Sequence, residues 1–274
     1  MNSAAKAGLG LLVVGLAVGV IWTITRLHHK AVSAPATGQP WTNSLGMEFV
    51  PVPGVKALFS KWETRVQDYQ AFADATSRTW ERPGFDQAPT HPAVNASWED
   101  AQAFCHWLTE KETKAGRLSP GQSYRLPRDW EWSAAVGLDE RKDASPKDKD
   151  GKIPDVYPWG TGWPPPAEAG NYHGQEAKSD PWPAIDGFGD RYIRTSPAGS
   201  FKSNKYGLYD MGGNVWEWCE DYFDGQSGPR VQRGGAWDCA IPGALLSSHR
   251  HGCDPGIRFD DRGFRVVLGW SARN

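Results

Sequence analysis

The sequence has little net charge, no phosphate-cradling glycine loop and no nucleophile elbow. A formal net charge of -2 at pH 7 gives no electrostatic footprint for nucleic acid or another acidic polymer. Without a strand-to-helix serine turn, a Ser-His-Asp arrangement has no support. Without a glycine-rich phosphate motif, nucleotide binding has none either. Internal repeats and low-complexity tracts are absent, which removes repeat architectures. Cysteine is scarce: Cys105, Cys219, Cys239 and Cys253 are the four present, and their spacing cannot choose among the disulfide connectivities open to them. Export would permit disulfides, whereas a cytosolic location would favour free thiols. Cys105, in an apolar helical stretch, reads as a buried structural thiol.

What is abundant is tryptophan, glycine and proline, at 15, 31 and 21 residues in a chain of 274. Together they describe a loop-rich fold whose interior is pinned by aromatic rings. At 39% hydrophobic and 23% charged, the chain suits one large domain plus a tail. The tail is the amino terminus. Ala7 to Ile24 is uncharged, flanked by Lys6 and by Arg26 and Lys30, and about long enough to span a bilayer as a helix. A cleaved signal peptide would have a shorter apolar run and a small-residue site. Val32-Ser33-Ala34 resembles such a site, but Pro35 directly after it is unfavourable. Residues 1-30 are therefore expected to be a retained single-pass membrane anchor and 31-41 a flexible stalk. Flanking charge does not fix orientation; the domain is expected outside the cytoplasm.

Thr64 to Gln67 has the form of a capping box, and Val66, Tyr69, Phe72 and Ala73 follow at helical spacing, predicting a helix over about 65–76. Ser97 to Asp100 repeats the signal ahead of Ala101, Phe104, Cys105 and Leu108, with the end near Glu110 to Lys114. Pro127 suits the first turn of a third helix running through Ala135, which Gly137 can terminate. Strand signals are strongest at Met47 to Val52 and Arg262 to Leu268. Leu138 to Lys152, charge-rich and without apolar period, reads as a solvated loop; Asp148, Asp150 and Gly151 match part of a calcium loop whose later ligands are missing.

The stretch from Tyr206 to Trp237 mixes Trp216, Trp218 and Trp237 with Gly212-Gly213, Gly234-Gly235 and the acids Asp210, Glu217, Glu220 and Asp221, which neither helical nor strand period explains. Its blocks GNVWEW (Gly213 to Trp218) and RGGAW (Arg233 to Trp237), with GFRVVL (Gly263 to Leu268), resemble the formylglycine-generating enzyme family, the sulfatase-modifying factors. SLGMEFVPVPG (Ser44 to Gly54), HPAVNASWEDAQAFCHWLT (His91 to Thr109), YRLPRDWEWSAA (Tyr124 to Ala135) and YPWG (Tyr157 to Gly160) resemble the family's earlier blocks in the same order. The resemblance implies a single α+β domain over 42-269, related to C-type lectin-like modules and low in regular secondary structure.

It also implies site residues. Asp210, Gly213, Val215 and Glu217 match one family calcium site, the acids through side chains and the other two through carbonyls. Asn171, Tyr172, Asp186 and Phe188 match a second, with side chains from Asn171 and Asp186. Calcium suits oxygen-rich irregular loops; the alternative is that these acids only cap loops. Family oxidases hold copper(I) between two cysteines, because soft thiolates select that ion. In this chain the corresponding places hold Ala236, Cys239, Ala240 and Ala244. Cys239 is the candidate catalytic residue, and Cys253, with His249 and His251 nearby, is the candidate replacement copper ligand. A Cys239 to Cys253 disulfide and unpaired thiols are the competing readings. The expected function is a calcium-stabilised, membrane-tethered binding or accessory module for a peptide, protein or glycan. The alternative is an oxidase acting on sulfatase cysteines through a non-standard copper site.

Overall fold

A computed structural model describes residues 34–140 and 143–270; the apolar run at Ala7 to Ile24 lies outside them. Among the described residues no helix is long and apolar enough to cross a membrane. The chain runs through β1 (Trp41–Thr42), β2 (Glu48–Pro51), β3 (Ala57–Ser60), α1 (Val66–Thr76), α2 (Trp98–Lys114), β4 (Gln122–Arg125), α3 (Asp129–Val136) and α4 (Pro146–Lys149). It continues through β5 (Val156–Tyr157), β6 (Gly160–Thr161), β7 (Trp216–Tyr222), β8 (Arg230–Arg233), β9 (His251–Cys253), β10 (Arg262–Gly263) and β11 (Val267–Trp270). One sheet has the order β1-β2-β3-β11-β4, a second β10-β7-β8-β9, and β5 pairs with β6. The long span from Thr161 to Trp216 holds no strand.

The helices form where side chains close their first turn. At α2, Ser97 Oγ accepts from the Asp100 amide at 3.1 Å while the Asp100 carboxylate accepts from the Ser97 amide at 3.0 Å, a complete capping box. Ala101, Phe104, Cys105 and Leu108 are buried along its inner face. At α1 the cap is one residue later than the sequence suggests. The Arg65 amide donates to Asp68 at 3.0 Å, and Thr64 Oγ1 is buried without a partner. Glu131 does the same for the Arg128 amide at α3, at 2.9 Å, so Pro127 precedes the helix instead of opening it. Gly137 ends α3 at φ 102°, a conformation open to glycine without a Cβ clash.

Two expectations are corrected. Arg262 to Leu268 is not one strand: β10 pairs parallel with β7, and β11 runs antiparallel between β3 and β4. Between them the chain turns to bury Arg265, which has no exposed surface. The charge-rich stretch 138–152 is not simply solvated either. Glu140 accepts from Arg250 Nη1 at 3.0 Å and Lys149 meets Asp129 at 2.6 Å, and both Lys149 and Arg250 are buried.

Tryptophan pins the loops to the sheets. Trp218, fully buried, donates to the Ala96 carbonyl at 2.9 Å; Trp98 donates to Cys219 O at 2.9 Å and Trp237 to Asp260 O at 3.2 Å. Each ring thus buries area and donates its N–H to a backbone carbonyl of a distant segment. A smaller cluster of Tyr157, Tyr172, Ile185, Phe188 and Leu245, with Cys239 beside it, packs the strand-poor region.

Candidate functional site

Two loops meet with their backbones in close approach. A Cβ on Gly213 would lie 2.3 Å from the Asn171 carbonyl oxygen, and one on Gly170 would lie 2.7 Å from Gly212 O. Glycine is therefore required for the segment around Asn171 to reach the segment around Asn214. At the junction Asn214, held at φ 62°, donates to Glu63 at 2.7 Å and accepts from Asn171 Nδ2 at 3.1 Å and from the Ser196 amide at 2.9 Å. Asn171 Nδ2 also donates to Arg194 O at 2.8 Å. Its Oδ1 is buried and accepts nothing.

Around this junction the carboxylates outnumber their counterions. Asp190, 3% exposed, accepts from the Tyr172 and Tyr192 amides at 2.8 Å each, and Glu176 accepts from the Asp190 amide at 3.2 Å. Burial first, with Glu176 nearby, pushes the Asp190 carboxyl up to about 7. Asp210 accepts from the Gly199 amide at 2.6 Å through one oxygen, while the other is buried without a partner. Burial, together with Glu217, raises it to about 6. Burial also pushes Glu63 well above the carboxylate range, aided by Asp210 and Glu217.

The sequence-derived calcium positions divide accordingly. Asp186 is exposed, and Asp190, four residues on and absent from that set, is the buried acid bonded to the Tyr172 amide. The Phe188 carbonyl accepts from Gln175 N at 2.9 Å. In the other set, the Val215 amide donates to Glu63 at 3.3 Å and Gly213 N donates to Gly234 O at 3.0 Å. Glu217 already has a cation. Arg265 donates to both its oxygens at 2.6 to 2.9 Å, Trp132 adds a bond at 2.8 Å, and Arg265 Nη2 also reaches the Asp210 carbonyl at 3.1 Å. A guanidinium therefore supplies the positive charge beside Glu217. Asn171 Oδ1, Glu176 Oε1 and Asp210 Oδ1 are each buried without a partner and are oxygens free to take a cation, whereas both Glu217 oxygens are held by Arg265. Among the described residues no three His, Cys, Asp or Glu side chains converge to hold a metal, so a cation at Asp190 needs amide and backbone oxygens as well. Glu63, Glu176 and Asp190 were missed in the sequence. The signal for Asp190 is the second acid of IDGFGD.

Cys239 is half-buried, with its sulfur 3.4 Å from the Ala236 amide and 3.8 Å from Asp238 Oδ1. Burial, and then Asp238, pushes its thiol well up, the reverse of the shift that makes a cysteine a ligand or nucleophile. Cys253 lies on β9, buried in the cluster that holds Trp218 and Phe264, whereas Cys239 packs against the cluster of Tyr172 and Leu245. All four cysteines are free thiols, which removes the Cys239 to Cys253 disulfide. His249 and His251 pack against the Trp216 ring at centroid distances of 5.8 and 5.6 Å, and His249 Nδ1 sits 3.0 Å from Asp150. These residues do not fit a two-coordinate copper site.

A family model described as the sulfatase-modifying factor enzyme 1-like domain matches residues 34–269. The formylglycine-generating enzyme of Thermomonospora curvata is 33% identical over 135 residues, 49% of this chain and 35% of that protein. The inactive C-alpha-formylglycine-generating enzyme 2 of Mus musculus is 30% identical over 258 residues, 90% of this chain and 73% of that one. The chain spans 35% to 63% of the length of four other curated relatives that it matches, the Thermomonospora protein included. The structure of PvdO from Pseudomonas aeruginosa superposes with a TM-score of 0.60 at 23% identity, covering 86% of this chain and 100% of that one, a likeness of fold alone. With the model matched from Ala34 to Gly269, this chain belongs to the sulfatase-modifying factor enzyme 1-like family.

Proposed function

We propose that this protein is a non-oxidase member of its family, a binding or accessory module stabilised by a calcium ion held at Asn171 and Asp190. The observation that carries the reading is Cys239, which stands without a second thiol and with its proton held on by burial and by Asp238. A family oxidase needs a thiolate pair; one half-buried thiol among Ala236, Ala240 and Ala244 cannot grip copper(I) in two-coordinate form. The relatives include one named as an inactive formylglycine-generating enzyme and one named as a formylglycine-generating enzyme, so membership does not decide the chemistry. Calcium would be held by Asn171 Oδ1, the Asp190 carboxylate and neighbouring carbonyls, and would tie the strand-poor loops together. The apolar run at Ala7 to Ile24 supports a membrane tether with the domain outside the cytoplasm, and exposed loops supply the surface for a peptide, protein or glycan.

The test is copper-loaded protein incubated under oxygen with a Cys-x-Pro-x-Arg peptide, followed by mass spectrometry for the aldehyde. No conversion is expected. Turnover that disappears in Cys239→Ala would overturn the reading and establish the oxidase alternative.

A further inference from the structure

Beside Asp190 the structure has a half-enclosed cleft of about 680 Å³, lined by Glu168, Asp190, Arg191, Tyr192, Phe201 and Lys202 among others. The volume is in the range of small-molecule sites. Tyr192 and Phe201 form one wall, edge to face, with ring centroids 6.0 Å apart. The Lys202 amide donates to Glu168 O at 3.4 Å, which ties the two lining segments together.

The charges at the mouth are unspent. Among the described residues neither Arg191 nor Lys202 has an ion pair or side-chain hydrogen bond. Arg194, three residues along, is by contrast paired with Asp180 at 2.7 Å and stacked on Trp237 at 4.6 Å. Arg191 is also held at φ 81°, a conformation that costs a non-glycine residue of order 1–3 kcal/mol and that tends to persist where a site requires it. A guanidinium fork matches a carboxylate bidentately, and an ammonium beside it adds a point charge.

We propose that this cleft binds a small carboxylate ligand with an aromatic or apolar body, the carboxylate clamped by Arg191 and Lys202 and the body laid against Tyr192 and Phe201. The Asp190 carboxyl is 3% exposed and both its oxygens accept from backbone amides, so the cleft stands on Arg191, Lys202 and the two rings whether or not a cation sits at Asp190. The ligand is either a free acid or the C-terminal residue of a peptide, which share this chemistry.

The experiment is calorimetric titration of the full-length protein with N-acetyl-phenylalanine, its C-terminal amide, and a hexapeptide ending in a free phenylalanine carboxylate, each in calcium and in chelator. Melting temperatures with and without calcium are recorded in parallel. The acid is expected to bind at least tenfold more tightly than the amide. Arg191→Gln should weaken it about tenfold and Lys202→Ala less, with melting unchanged in both variants. The hexapeptide binding more tightly than the free acid would identify a peptide end as the ligand, and the converse a free metabolite. Equal binding of acid and amide, or an Arg191→Gln protein that binds as the parent does, overturns the proposal. Calcium that raises the melting temperature without any carboxylate binding overturns the cleft and leaves the cation standing. Carboxylate binding with no calcium effect on melting leaves the cleft standing and removes the cation.

Discussion

Two buried charge clusters lie at opposite extremes of the same physics. Around α3, Asp129 receives Arg233, Arg250 at 3.0 Å and Lys149 at 2.6 Å, and Glu140 completes the set by accepting from Arg250. Burial alone would raise Asp129, but Arg233 and Arg250 hold its carboxyl far below the usual range. Around Asn214, Glu63, Asp210 and Glu217 share Arg265, while Asp190 and Glu176 face each other; burial drives Glu63, Asp210 and Asp190 upward. The fold supplies its own counterions in the first region and leaves a deficit of positive charge in the second. A buried carboxylate without a cation costs several kcal/mol unless it is protonated or a metal ion arrives. The difference separates a network that the fold neutralises itself from one whose carboxyls are left to protonation or, as proposed above, to a cation.

The strongest way to break the contrast is to remove the centre of the balanced cluster. Asp129→Asn leaves Arg233, Arg250 and Lys149 facing one another, and breaking such a buried pair costs about 3–5 kcal/mol. Chemical denaturation should show that loss equally in calcium and in chelator. A loss under about 1 kcal/mol would mean the network is solvated after all.

The pH dependence should then run in opposite directions for the two clusters. A carboxyl raised in the folded state binds protons that the unfolded state, titrating near 4, has released, so stability falls as pH rises from about 4 to 7. Asp210 at about 6 and Asp190 at about 7 place the effect in that window, and each unit is about 1.4 kcal/mol. Asp129, depressed, contributes stability above pH 4 that is lost only as pH falls below it. In chelator the melting temperature should therefore decline from pH 4.5 to 7.5, and calcium should flatten the decline by holding Asp190 ionised. A chelator profile that rises over this window contradicts the deficit.

How much of this was legible depended on the distance over which residues speak to each other. Ser97 and Asp100 are three apart, so their capping box could be read directly, as could the buried stripe of α2 and the stop at Gly137. Glu140 and Arg250 are 110 residues apart, and nothing local distinguishes Glu140 or Lys149 from the solvated charges around them. The break at Phe264 to Val266 was invisible for a related reason. An apolar strand pattern continues through it, and only the demand of Glu217 for a partner 48 residues on explains why Arg265 turns inward. For the candidate site, the glycines and Asn171 were readable from motif, but IDGFGD offers two acids and a pattern of residue types cannot say which one the loop carries inside.

That choice gives the finest test, with the smallest difference between variants. A cation that binds the folded state alone stabilises it by about 2.7 kcal/mol at a hundredfold excess over Kd, several degrees of melting temperature in a domain of this size. Asp190→Asn keeps the shape and one of the two acceptor oxygens that the Tyr172 and Tyr192 amides use but removes the charge, so its melting curve should no longer respond to calcium. In chelator the same variant should lose about 1–3 kcal/mol, because its NH2 faces an amide donor from which the carboxylate accepted, a loss offset in part by removal of the buried charge. Asp186 is exposed, and exposed substitutions away from special backbone rarely exceed about 0.5 kcal/mol. Asp186→Asn should therefore match the parent in both buffers. If Asp186→Asn abolishes the calcium response while Asp190→Asn retains it, the loop presents the outer acid to the ion, and Asp190 is a buried, protonated hydrogen-bond acceptor with no cation to hold.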